Sequence, residues 1–542
     1  MKFDPVLIYP RMEEMKKQGL WRDETINLHM KRALERYPDK NAVISYRDGH
    51  AESVRLSYRE LDARVDRIAR ALVALGVARS DVVSFQVPNS WQFIALALAC
   101  ARIGAVANPV MPIFREHELN FMLNFGESKV FIVPKTYRGF DYEKMARGML
   151  PGLPHLLQLV VVDGEGDDSF DRVLLRDDTP PLTEPGIGPD DVLLLMYTSG
   201  TTGEPKGVMH TSNTLFSNLH AYIKAMELTA DEIILGASPM AHLTGYGYLA
   251  MLPLLLNSTT VLMDIWDPKR ALEIAAKEGV TFSMASATFI SDMCNAVEAG
   301  VPAAPGFKKF SCAGAPIPPV VIERAYKVLG MRVCSAWGMT ENGAITITEP
   351  ARALEKSGVS DGRPVPGIEI KVVDENGNRL PTGQVGDLLV RGASLFAGYL
   401  KRPHLNGTDK DGWFNTGDRA FIDEEGYIRI AGRTKDLVIR GGENIPVVEI
   451  ENLLYKHPSI ASVAVVGYPD ARLGERVCAF VTLKAGKTFS FEEMVAYFDE
   501  HKMTKQYYPE RLEIADSLPS TPSGKLQKFK LREIAKQFGH IE

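Results

Sequence analysis

The stretch Tyr197-Thr-Ser-Gly-Thr-Thr-Gly-Glu-Pro-Lys-Gly-Val208 holds four hydroxyls, three glycines and one lysine within the eleven residues from Thr198 to Val208. Glycines let the backbone turn so that successive N–H groups converge on one point. The hydroxyls and the Lys206 cation add donors, so a chain of phosphates is the natural guest. The loop follows an apolar run, Val192–Met196, as a loop at a strand end would. It is not a Walker A loop, because Pro205 stands where that motif needs glycine.

Four further strings carry chemistry. In Ser335-Ala-Trp-Gly-Met-Thr-Glu341, Trp337 suits stacking on a flat base and Thr340 suits a phosphate contact. Glu341 suits Mg²⁺, which takes few carboxylates and completes its shell with phosphate oxygens and water. A buried tryptophan beside a turn accounts for this string equally well when it is read alone. In Trp413-Phe-Asn-Thr-Gly-Asp418, the aspartate can accept both hydroxyls of a ribose, and an ordinary Asx turn is the alternative. Gly432–Glu451 contains Arg433, Lys435 and the pair Gly441-Gly442. Pro519-Ser-Thr-Pro-Ser-Gly-Lys525 presents a lysine from a loop, either reaching into a cleft or solvated at the end of the chain.

The elements that must position these strings alternate in kind. Leu61, Val65, Ile68, Leu72 and Leu75 recur at helical spacing, with Ser57 and Glu60 in a capping-box pattern and Gly76 as a stop. Strand candidates follow at Val82–Val87, Val130–Val133, Leu159–Val162, Val192–Met196 and Val261–Met263, with helical stretches between them. That alternation predicts a mostly parallel, helix-covered sheet. After about residue 360 the pattern turns β-rich, with Ile368–Val373, the turn Asp374-Glu375-Asn376-Gly377 and Asp387–Arg391. The polar run Gly432–Asp436 suits a linker, and the remaining residues suffice for one small α+β domain.

With 542 residues the chain exceeds one ordinary core. Its formal net charge of −6 excludes a global basic footprint for nucleic acid. Five scattered cysteines, never in a CxxC pair, argue against disulfides and structural zinc and suit a reducing cytoplasm. The N-terminal residues show no apolar signal core, and no apolar run reaches the length of a membrane span.

In this order and spacing the five strings resemble the AMP-forming acyl-CoA synthetase family of adenylate-forming enzymes. Leu56–Leu72, Leu96–Pro109, Gly386–Arg391 and Gly474–Leu483 match its weaker motifs, so the resemblance spans nearly the whole chain. It is similar within that family to medium-chain fatty acyl ligases. The resemblance implies an α/β fold: a large N-terminal domain of two packed α/β subdomains plus a β-barrel-like region over 1–431. A hinge at 432–436 and a small mobile α+β lid over 437–542 complete it.

The resemblance also implies residue roles. Thr198, Ser199, Gly200, Thr201, Thr202, Gly203 and Lys206 would hold the β- and γ-phosphates of ATP. Gly314, Ala315 and Pro316 would line the adenine, with Trp337 against its other face, and Gly338 and Met339 would also belong to the ATP site. Thr340 would contact the α-phosphate, Glu341 the Mg²⁺, and Asp418 with Arg433 the ribose. Lys525 would bridge the acid and the α-phosphate, Lys435 would be the hinge, and Gly441, Gly442 and Glu443 would meet coenzyme A. The acyl pocket would be lined by His242, Gly245, Tyr246, Ala313, Gly314 and Met339, with His242 gating it beside the carboxylate.

The activity so implied is adenylation of a carboxylic acid followed by acyl transfer to coenzyme A. An alicyclic acid such as cyclohexanecarboxylate, or a medium-chain fatty acid, fits the small residues of the pocket segment. Acetylation of Lys525 by a lysine acetyltransferase, reversed by a deacetylase, would erase its charge and stop the first step. Homo-oligomerisation is a further expectation. Two alternatives are an enzyme that loads a carrier protein and a non-catalytic nucleotide-binding protein.

Overall fold

The Ser57 hydroxyl accepts from the Glu60 N–H at 3.2 Å, and the Glu60 carboxylate accepts from the Ser57 N–H at 2.8 Å. This capping box opens the helix Tyr58–Ala74, whose stripe Leu61, Val65, Ile68 and Leu72 is buried. Gly76 follows at a φ of 91°, a left-handed stop that favours glycine. The helix Trp91–Ile103 is different: eleven of its thirteen residues are buried, so it lies inside the molecule rather than on it.

The computed structural model describes the chain apart from residues 51, 184–185, 199–204, 315–316, 434–437, 441–442, 446, 471–472, 502, 504, 522–525 and 541–542. Two large sheets dominate. One has nine strands, in which Arg332–Met339, Lys309–Cys312, Phe282–Ala285, Ile233–Gly236, Thr259–Met263 and Asn41–Tyr46 run parallel. Antiparallel strands close both of its edges. The other has seven strands, with Val192–Thr198, Val106–Pro109, Val82–Phe85, Ser128–Pro134 and Gln158–Val162 parallel. One hydrophobic core draws on both sheets and on the helices Tyr58–Ala74 and Trp91–Ile103. The parallel, helix-covered expectation therefore holds, with antiparallel strands added at the edges.

The β-rich section is a four-stranded antiparallel sheet of Ile368–Val373, Gly386–Gly392, Phe414–Ile422 and Ile428–Arg433. Beyond it, five strands and the helices Val447–Tyr455, Phe491–Glu500 and Lys528–Ala535 build a smaller α+β unit around a core of its own. Among the described residues no helix is long and apolar enough to cross a membrane.

Candidate active site

The antiparallel strands Val192–Thr198 and Lys206–Thr211 frame the glycine-and-hydroxyl loop, with Lys206 opposite Thr198. Ser199, Gly200, Thr201, Thr202 and Gly203 lie outside the described residues, but the ends of their loop are pinned by this pairing. The short strand Gly398–Tyr399 adds itself to the pair, Tyr399 opposite Val208. That pairing brings the Tyr399 hydroxyl to Lys206, whose Nζ donates to it at 3.0 Å and lies 4.3 Å from the ring centre. The same hydroxyl donates to Glu341 Oε1 at 2.7 Å. Burial and the adjacent carboxylate push the Tyr399 phenol far above its ordinary pKa, so it keeps its proton and remains a donor.

Glu341 is only 4% exposed and sits in the turn between Arg332–Met339 and Gly343–Ile347. Further contacts hold that turn. The Asn342 Oδ1 accepts from the Met339 N–H at 3.0 Å, and the Phe396 N–H donates to the Glu341 carbonyl at 2.7 Å. His210 Nε2 donates to the Thr340 carbonyl at 2.7 Å, while its Nδ1 faces the Thr214 hydroxyl at 3.1 Å. His210 is 1% exposed, and burial lowers its pKa to about 4, which keeps the ring neutral. Gly338 is required by the hairpin itself: a Cβ there would come within 1.8 Å of the Gly343 carbonyl oxygen.

The second and third strings meet directly. Trp337 Nε1 donates to Asp418 Oδ2 at 3.0 Å, and Asp418 is 4% exposed on the strand Phe414–Ile422. Asp418 also stands opposite Arg433 in the sheet. Trp337, Gly338, Met339 and Thr340 are half-buried along one strand and its turn. Gly314 follows the strand Lys309–Cys312 at a φ of 88°, exposed, beside the half-buried Ala313. Ala315, Pro316, Lys435, Gly441, Gly442 and Lys525 lie outside the described residues, and Glu443 begins the strand Glu443–Ile445.

The acyl segment differs from its sequence reading. Gly245 opens no space: a Cβ there would meet the Pro239 carbonyl oxygen at 2.2 Å, so this glycine permits close backbone packing. Tyr246 is fully buried, edge-on to Phe93 in the shared core. His242 is half-buried and caps a short helical turn, its Nδ1 accepting from the Thr244 N–H at 3.3 Å. Gly247 lines, with Leu219, Leu243, Asn342, Gly343 and Ser394, a crevice beside the Glu341 turn that is too narrow to admit a water molecule.

Tyr399 and His210 went unread in the sequence. Tyr399 sits in the unremarkable tripeptide Gly398-Tyr-Leu400, far along the chain from both of its partners. His210 follows the glycine-rich string by two residues, and that nearness is the signal the sequence offers.

A family model for AMP-binding enzymes matches residues 30–400, and one for the AMP-binding enzyme C-terminal domain matches residues 449–525. The medium-chain fatty-acid–CoA ligase of Escherichia coli (strain K12) is 35% identical over 529 residues, covering 96% of this chain and 92% of the relative. A salicylyl-CoA synthase / salicylate adenylyltransferase of Streptomyces sp is 33% identical over 537 residues, covering 97% and 96%. ATP-bound MatB from Rhodopseudomonas palustris shares the fold at a TM-score of 0.83 and 28% identity, over 95% of this chain and 100% of that one. Matches of this extent, over the motifs that meet at the Glu341 turn, show that the chain belongs to the AMP-binding enzyme family, among its AMP-forming acyl-CoA ligases.

Proposed function

We propose that the chain uses ATP to adenylate a medium-chain fatty acid or an alicyclic acid such as cyclohexanecarboxylate, releasing pyrophosphate, then passes the acyl group to coenzyme A. The observation that carries this reading is the Lys206–Tyr399–Glu341 chain at the mouth of the glycine-rich hairpin. It sets a cation and a buried carboxylate side by side where a polyphosphate and its counter-ion would meet. Trp337 and Asp418, joined by a hydrogen bond, offer the base and ribose contacts from the adjoining strand.

In the first step a carboxylate oxygen bonds to the α-phosphorus, the bond to the β-phosphate oxygen breaks, and pyrophosphate leaves. Thr198 and Lys206 would hold the departing phosphates, and Lys525 would lie between the two repelling anions. Positioning and charge neutralisation supply most of the rate in such a reaction. The single carboxylate of Glu341 fits Mg²⁺, a hard ion that takes one or two carboxylates beside phosphate oxygens. When bound there, Mg²⁺ would screen the phosphate charge. In the second step the coenzyme A sulfur bonds to the acyl carbon, the thiol loses its proton, and AMP leaves. We assign 432–436 as the hinge and 437–542 as the lid that exchanges Lys525 for the Gly441-Gly442-Glu443 turn.

The leucines of the crevice support an apolar acyl group, and the 35% identical medium-chain ligase supports a chain of moderate length. The crevice as it stands is too narrow for such a group, so its side chains must part on binding. Pyrophosphate release with a panel of linear, alicyclic, aromatic and amino acids tests the reading. Release with medium-chain and alicyclic acids, and acyl-CoA formed with free coenzyme A, are expected. No release with any acid would refute adenylation, and transfer only to a carrier-protein thiol would refute the coenzyme A step.

A further inference from the structure

We propose that Glu24, His29 and His220 form a divalent-cation site of the zinc class, separate from the nucleotide chemistry, which braces the N-terminal segment against the helix behind the Glu341 turn. Glu24 immediately precedes Thr25, which caps the helix Ile26–Arg36; His29 lies on the first turn of that helix. His220 comes from the helix Ser212–Ala225. Glu24 Oε2 lies 2.9 Å from His220 Nε2 and 3.5 Å from His29 Nε2, and all three donor atoms fall within 4.8 Å of one another. A tetrahedral zinc ion with bonds of about 2.0–2.1 Å holds its ligands roughly 3.3–3.4 Å apart, so the Glu24–His220 pair would open from 2.9 Å, the Glu24–His29 pair would close slightly from 3.5 Å, and the two ring nitrogens, within 4.8 Å of each other, would draw together around the ion.

The second observation is an orphan. His29 is 95% buried, its side chain only 5% exposed, and its Nε2 points into this cluster without a hydrogen-bond partner. Buried nitrogens are nearly always paired, and an unpaired imidazole nitrogen facing a carboxylate and a second imidazole is the expected face of a metal ligand. The surroundings orient the donors. Arg32 Nη1 donates to the other Glu24 oxygen at 2.6 Å, which aims Oε2 at the two rings. Phe216 stands edge-on to His29 at 5.5 Å and limits its rotation. Outer contacts of this kind set ligand direction in metal sites.

Two imidazoles and one carboxylate select zinc, cobalt or nickel over Mg²⁺, which takes oxygen ligands. Three protein ligands leave one position for water. The Ser212–Ala225 helix links this place to the catalytic turn: it starts beside His210, and its Asn218 Nδ2 donates to the Ala344 carbonyl at 2.9 Å. An ion at Glu24 would therefore tie the Ile26–Arg36 segment to the scaffold of the Glu341 turn.

The test uses the full-length protein stripped with a chelator, then titrated with Co²⁺ and with Zn²⁺ in separate experiments, with Mg²⁺ in large excess. One equivalent of Co²⁺ with the visible bands of a tetrahedral site is expected, and Zn²⁺ displaces it. Zn²⁺ raises the Tm of the wild type. His220→Gln weakens Co²⁺ binding by at least ~10-fold and abolishes the Tm rise, since loss of even an outer contact costs that much. His220 is partly exposed, and should its variant not fold, Glu24→Gln reads the same loss. Glu341→Gln leaves the cobalt spectrum unchanged. No visible band, a band that persists in both His220→Gln and Glu24→Gln, or a band lost in Glu341→Gln would each overturn the site.

Discussion

Tyr399→Phe removes one oxygen from the centre of the proposed phosphate site. The ring would stay, packed 4.7 Å from Phe396 centre to centre, and the Lys206 ammonium would keep the aromatic face beneath it. What goes is a hydroxyl that accepts from Lys206 at 3.0 Å and donates to Glu341 at 2.7 Å. Hydrogen bonds to charged groups contribute about 1.5–3 kcal/mol each. The two here share one hydroxyl and do not add, so that range bounds the loss. If the whole of it falls on the transition state, adenylation slows about 10- to 150-fold. Pyrophosphate release measures this step alone. Thioester formation from a synthetic acyl-adenylate measures the other, which needs neither group and should stay near the wild-type rate. The apparent Mg²⁺ requirement should rise, because Glu341 loses the donor that aims it. An unchanged pyrophosphate rate would refute the reasoning, as would equal loss of both steps.

Gly338→Ala should cost at least about 3 kcal/mol or prevent folding, because the added carbon would sit 1.8 Å from the Gly343 oxygen of the paired strand; denaturant unfolding or soluble yield reads this. His210 contributes a pH dependence. Its folded pKa of about 4 lies below the unfolded value of 6.5, so the unfolded chain binds the extra proton first. The stability it confers is full above about pH 6.5 and falls by on the order of 3 kcal/mol as pH drops to about 4. A flatter stability profile over that window in His210→Gln is expected, and an identical slope would count against it. Lys435→Pro, at the proposed hinge, should spare acyl-adenylate formation and block thioester formation; equal loss of both would count against a hinge there.

What could be read from the residues was local. The Ser57–Glu60 capping box and the Gly76 stop need only neighbours in sequence, and both stand where the spacing put them. The turn at Asp374–Gly377 is equally local, closed by the Gly377 N–H on the Asp374 carbonyl at 3.0 Å. Tyr399 was invisible for the opposite reason. It reaches Lys206 only because a two-residue strand pairs with one nearly two hundred residues earlier, and no periodicity announces a strand that short. Gly245 misled because composition gives size and polarity but not direction. A small residue opens a pocket or admits a neighbouring backbone, and here Pro239 occupies the place where a side chain would go.

The Glu341 turn is held from several directions at once: by the neutral His210 of the seven-stranded sheet, by the Phe396 backbone and by the Tyr399 hydroxyl. Each of these donors is fixed by its own pairing or burial before any ligand arrives. With the backbone of the turn held by His210 and Phe396 and one carboxylate oxygen held by Tyr399, Glu341 would, in the proposed role, already point toward the counter-ion before the bond breaks. Donors that are oriented in advance need no reorganisation as the bond breaks, which is the larger part of what a protein adds to phosphoryl chemistry. It follows that substitutions beneath the turn, at residues that never touch the nucleotide, should lower kcat more than they raise KM, because they loosen orientation rather than remove a binding contact.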